Sequence, residues 1–155
     1  MSKVNQTSKL AAVIVVLVLT IAGHVPAGQT DYANPAITNN DSSAYWLDQG
    51  GLFSAYGNYP AAIRAYEKSL ARDPGNSEAH FGIGVALGAM GDYTTALTRI
   101  DQALAMAADN GRYLYGRGWV LMLAGRTDEA LPVLRKASEQ GNMDARMFLQ
   151  YLETR

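Results

Sequence analysis

Three glycines, Gly57, Gly91 and Gly125, stand 34 residues apart, and their neighbours keep the same interval. Ala62, Ala96 and Ala130 repeat at it, as do Ile63, Leu97 and Leu131. So do Tyr66, Ile100 and Leu134, and then Ser69, Ala103 and Ala137. A period of this length in three copies marks a stacked array, in which no unit buries its apolar face alone. The chain is thereby limited to a fold made of one supersecondary unit used again.

Each unit reads as two helices about a glycine turn. Trp46 and Phe53 precede Gly57, and His80, Ile83 and Leu87 precede Gly91, at helical spacing. Ala62, Ile63, Tyr66 and Leu70 then share a face of the second helix. Pro60 falls at a helix start, where the missing N–H costs little, and Pro132 lies slightly deeper. Asp41 or Ser42 can cap the first helix, and Asp92 and Asp128 stand where later caps are expected. Helices this short are marginal alone, so stacking must supply the stability. Beyond the third copy, Met147, Phe148, Tyr151 and Leu152 fall on one face and Arg146, Gln150 and Glu153 on the other. That pattern predicts an amphipathic helix over 145–155 that caps the open end of the stack or docks a partner.

The segments GNYPAAIRAYEKSLARDPGN, GDYTTALTRIDQALAMAADN and GRTDEALPVLRKASEQGN resemble tetratricopeptide repeats, with a Sel1-like flavour at the end of the last copy. Gln49 and Arg117 depart from the leucine usual in such repeats, and Pro74 has no counterpart in the later copies. The resemblance implies an all-α fold, a right-handed superhelical stack of three helix-turn-helix repeats (43–76, 77–110, 111–144) plus the capping helix. It also implies that a second face of each first helix lines a concave groove. Steps of 34 then give two rows, Leu47–Phe81–Tyr115 and Gly51–Val85–Trp119, mostly large and apolar. Gly84 and Gly118 occupy the family's small-residue contact slot, while Gly82, Gly88 and Gly116 lie near the groove face. Each helix glycine costs about 1 kcal/mol against alanine. Room for a bound chain, or dense packing against a neighbouring helix, would each account for Gly82 and Gly88.

Members of the family that hold a C-terminal carboxylate do so with lysines, arginines and asparagines. Here only Arg112 is cationic on the groove face. The expected partner site, Leu47, Gly51, Phe81, Val85, Gly88, Arg112, Tyr115 and Trp119, therefore suits an apolar or amphipathic protein segment. The alternative occupant is the chain's own linker or tail helix, folded back over that face.

The absence of cysteine removes disulfides, thiolate metal sites and a cysteine nucleophile together. A formal charge of −1 with scattered basic residues offers no footprint for nucleic acid. Only His24 and His80 are present, His80 on a core-facing slot, and no phosphate-cradling loop or paired nucleophile and base occurs. No catalytic residue, metal or cofactor is expected. At the N-terminus, Lys3 and Lys9 precede an apolar run from Leu10 to Gly23 and then Val25-Pro26-Ala27. This is the pattern of a secretory signal over residues 1–27, cleaved after Ala27, which leaves 11 basic against 14 acidic residues and a charge of −3. The alternative, an uncleaved membrane anchor, needs about 20 apolar residues. Residues 28–42 read as a flexible linker. The sequence thus predicts an interaction module that is periplasmic or secreted, or else membrane-anchored with its repeats outside the cytoplasm. It would be an adaptor or assembly factor for a protein or peptide partner. Alternatively it self-assembles, one copy's groove taking another's linker or tail helix.

Overall fold

The turn glycines set the architecture. The computed structural model describes residues 41–154, which form seven helices and no strand. The expected signal segment, and the expected linker up to residue 40, lie outside the described residues. The helices are α1 (Ser43–Ala55), α2 (Tyr59–Arg72), α3 (Ser77–Ala89), α4 (Tyr93–Met106), α5 (Gly111–Leu123), α6 (Thr127–Glu139) and α7 (Met143–Glu153). Gly57, Gly91 and Gly125 join the first three pairs at φ of 72°, 90° and 73°, a region that disfavours any side chain. Beyond each, the N–H of Asn58, Asp92 or Arg126 reaches back to the carbonyl of Phe53, Leu87 or Leu121 at 2.9, 3.0 and 2.9 Å. These bonds satisfy carbonyls that the helix end would otherwise orphan.

Helix starts are equally local. The side chains of Ser42, Asn58, Asn76, Asp92, Asn110 and Asn142 each accept a hydrogen bond from a backbone N–H in the following turn. Ser42, rather than Asp41, therefore caps α1. Asp41 instead accepts from the Trp46 indole and pairs with Arg72, and these contacts hold its carboxyl below the usual carboxylate range. α6 follows Arg126 without a side-chain cap, and Asp128 sits within its first turn, where its charge favours the helix start.

Each helix packs on its sequence neighbours, and α3 also meets α1 and α5. The repeated columns fill the core: Ala62, Ala96 and Ala130 are wholly buried, with Ile100 and Leu134 beside the last two. The buried hydroxyl of Ser69 donates to the Ser43 carbonyl at 2.9 Å and accepts from the Asn76 amide at 3.3 Å. Glycines admit the large side chains of this core. A Cβ on Gly50, Gly84 or Gly118 would lie 2.4 Å from Tyr66, 2.5 Å from Ile100 or 2.6 Å from Leu134. Gly50 thus extends the Gly84–Gly118 slot to the first repeat. Gly82 likewise receives the Tyr66 ring, Gly116 the Phe81 ring and Gly88 the Val120 side chain. Dense packing therefore accounts for Gly82 and Gly88; of the helix glycines, Gly51 alone has nothing within 4 Å.

Measured from cap to cap, the repeats are not equal. Ser42, Asn76, Asn110 and Asn142 are separated by 34, 34 and 32 residues. α6 has 13 residues where α2 and α4 have 14. Gly141, at φ 83°, then closes a tighter connection into α7. The last helix accordingly begins at Met143, two residues ahead of a strict 34-residue count. Among the described residues no helix is long and apolar enough to cross a membrane.

Candidate functional site

The residues five and nine positions after each N-cap occupy one face of α1, α3 and α5. Leu47 and Gly51, Phe81 and Val85, and Tyr115 and Trp119 are these pairs. The structure gathers them around two adjoining clefts. The first, of about 680 Å³, is lined by Leu47, Asp48, Gly51, Tyr66, Glu78, Phe81, Val85 and Arg112 among others. The second, of about 390 Å³, shares Phe81, Val85 and Arg112 and adds Tyr115, Gly116, Trp119, Asn142 and Asp144. Gly88 does not join them, because Val120 and Trp119 pack over it and bury it.

Phe81 contributes only an edge. It is 6% exposed, its ring stacked on Tyr113 at 4.7 Å and seated against Gly116. Above it lies the Arg112 guanidinium, 4.8 Å from the ring centre, with Nη1 donating to Glu78 Oε2 at 2.7 Å. The other Glu78 oxygen accepts from the Tyr113 hydroxyl at 2.7 Å, which also meets Ser77 Oγ at 3.0 Å. The one cation of the groove is therefore already partnered. Glu78 was not among the expected site residues, although it stands one repeat before Arg112, and that interval was the available signal. His80 lines neither cleft; its Nε2 lies 3.4 Å from the Pro74 carbonyl, and its buried Nδ1 has no hydrogen-bond partner. Among the described residues no group of three His, Cys, Asp or Glu is placed to hold a metal ion.

Burial raises the hydroxyl pKa of Tyr66, Tyr113 and Tyr115, and the Asp144 charge reinforces the shift at Tyr115. A phenol raised on folding stabilises the fold fully below its unfolded pKa of about 10, and that contribution is lost as pH climbs through the folded value. Unfolding free energy from urea titrations should thus hold steady between about pH 6 and about pH 9.5 and fall above that. The Tyr113→Phe, Tyr115→Phe double variant should fall less steeply; identical slopes would disprove this origin.

Two further residues share the register of the groove rows but escape the 34-residue count, and neither lines the two clefts. Five and nine residues after the fourth cap, Asn142, stand Met147 and Tyr151, 64% and 52% exposed. They continue the Leu47–Phe81–Tyr115 and Gly51–Val85–Trp119 rows onto α7. Adding 34 to Tyr115 and Trp119 lands on Leu149 and Glu153 instead, because the third repeat is two residues short.

Two family models, each described as tetratricopeptide repeat, match residues 65–98 and 84–145. No curated protein matches the chain at a significant level. Among solved structures, the first TPR of Spaghetti (RPAP3), bound to the HSP90 peptide SRMEEVD, superposes with a TM-score of 0.65 at 19% identity. That match covers 72% of this chain and 90% of the other. The TPR2B domain of yeast Sti1, in complex with pHsp70, gives 0.64 at 17% identity, covering 70% and 90%. A Thermobaculum terrenum O-GlcNAc transferase gives 0.61 at 28% identity over 63% of this chain, but only 19% of that enzyme. The matched segments, the helical pairs and the shared fold lead to one assignment: the chain carries tetratricopeptide repeats.

Proposed function

We propose that this protein is an exported, non-catalytic interaction module, an adaptor or assembly factor whose concave groove takes an apolar or amphipathic segment of a partner protein. The observation that carries this reading is the groove itself. Leu47, Val85, Tyr115 and Trp119, drawn from three helices, line adjoining clefts and stay partly open to solvent. Fully burying an exposed side chain of this size is worth about 1.5–3 kcal/mol; these are already partly buried, so a partner recovers the remaining fraction at each. Two structures of the same fold hold protein or peptide partners, the Spaghetti repeats an HSP90 peptide and the Sti1 domain pHsp70. The acidic character of that HSP90 peptide does not carry over. This groove has a single arginine, and Glu78 already engages it. Export rests on the basic and apolar pattern of residues 1–27.

Crosslinking and pull-down from envelope extract tests the reading. The protein is compared with a Tyr115→Ala, Trp119→Ala variant of equal helicity. A partner captured by the first should be lost by the second. Identical captures would reject the groove, and recovery of the protein alone would favour self-assembly.

A further inference from the structure

We infer that the groove is built for an amphipathic helix that is cationic near both ends, lying across all four first helices, α1, α3, α5 and α7. This rests on the interaction reading and names the chemistry of the partner. Three observations lead to it.

The first is length. Met147 and Tyr151 continue both apolar rows onto α7, where they are half-exposed or more. Packed helices lie about 8–10 Å apart, so α1, α3 and α5, which meet in turn, span about 16–20 Å, and α7 beyond them extends the row to at least about 24 Å. At 1.5 Å per residue that suits a helix of roughly 16–20 residues.

The second is backbone chemistry. Leu47, Val85, Tyr115 and Trp119 give the floor a large apolar share, and among the described residues there is no strand edge to which an extended peptide could add. An extended chain would leave its N–H and C=O groups against Leu47, Val85 and Trp119, whereas a helix satisfies its own.

The third is charge. The ionisable groups lining the two clefts, tyrosines aside, are Asp48, Glu78, Arg112 and Asp144. Arg112 is taken by Glu78. Asp48 and Asp144 are in none of the ion pairs among the described residues, and they stand on the first and last helices of the groove. The partner's lysines or arginines belong at its two ends, opposite them, where opposite charges set orientation and reject the wrong sequence.

The test uses the full chain with Trp46→Phe, so that Trp119 is its only tryptophan, and two synthetic peptides of about 20 residues. Both carry a leucine face; one has lysines near each end and the other glutamates in their place. The lysine peptide should change Trp119 fluorescence and bind about tenfold or more tightly than the glutamate peptide at low salt. That preference should shrink to about twofold in Asp48→Asn, Asp144→Asn and at high salt. Met147→Ser, Tyr151→Ser should weaken the lysine peptide about tenfold, the worth of one lost apolar contact. Equal affinities, a preference that survives Asp48→Asn, Asp144→Asn, or indifference to the α7 substitutions would overturn the inference. Tighter binding of the glutamate peptide would overturn it while leaving the groove a docking site. If neither peptide perturbs Trp119, the interaction reading falls as well. A sedimenting dimer that either peptide dissociates would assign the groove to a second copy and overturn the cationic partner.

Discussion

Tyr66→Ala should remove about 3–5 kcal/mol of stability, the range for deleting a buried aromatic ring. The ring is 7% exposed and gripped from both sides, by Gly50 of α1 and Gly82 of α3. Deletion leaves glycine backbone on these two sides, so neither flank supplies a side chain to fill the gap. A sharper result is a change of sign at Gly82. In the native protein a Cβ there would lie 2.5 Å from Tyr66 Cζ, and the ring cannot retreat towards Gly50. Gly82→Ala should therefore destabilise by about 1–3 kcal/mol through overpacking. With Tyr66 already alanine, the same change should stabilise by about 1 kcal/mol, since only helix propensity remains. Urea unfolding of the four proteins measures both effects, and a Gly82→Ala effect of one sign in both backgrounds would refute the slot.

Gly84→Ala should cost about 2–3 kcal/mol, a fall of roughly 10 °C in midpoint for a domain of this size. Its Cβ would lie 2.5 Å from Ile100 Cγ1 and, less forgivingly, 2.9 Å from the Ala96 carbonyl oxygen. A side chain can rotate, but a helix backbone must translate, so α3 and α4 would have to separate. Gly51 provides the control. It lies in the same register family of first helices but faces open space. There alanine should stabilise by about 0.5–1 kcal/mol. Thermal unfolding followed by circular dichroism would show opposite shifts, and two shifts of the same sign would mean that packing does not decide these positions.

These glycines also show where sequence reasoning stops. The 34-residue interval made the helical pairs legible, because turn glycines and core columns recur within each copy. It also picked six residues that line the clefts, Leu47, Gly51, Phe81, Val85, Tyr115 and Trp119. Whether a glycine means an open groove or a filled slot was not legible. The answer depends on a side chain 16 residues away for Gly50, Gly84 and Gly118, and about 32 away for Gly88. Phe81 reads as a groove residue by register, yet it sinks into the core because Gly116 lets its ring enter. Met147 and Tyr151 read as part of the tail helix's apolar face, but their register with the groove rows was hidden by a spacing two residues short. The caps of α1, α3, α5 and α7, all Ser or Asn, reveal that register when the count starts from Asn142 rather than from the turn glycines.

Because helices touch only near neighbours along the chain, the two ends of the array have no direct means of sensing each other. Such a stack opens from its termini, and amide protons in α1 and α7 should exchange with solvent well before those of α4. A ligand laid across the first helices would change this. It would act as a splint, joining repeats that the chain connects only in series. Its arrival would then be recorded most strongly at the ends, as slowed exchange far from the centre of the groove, while the middle helices, protected already, would register little.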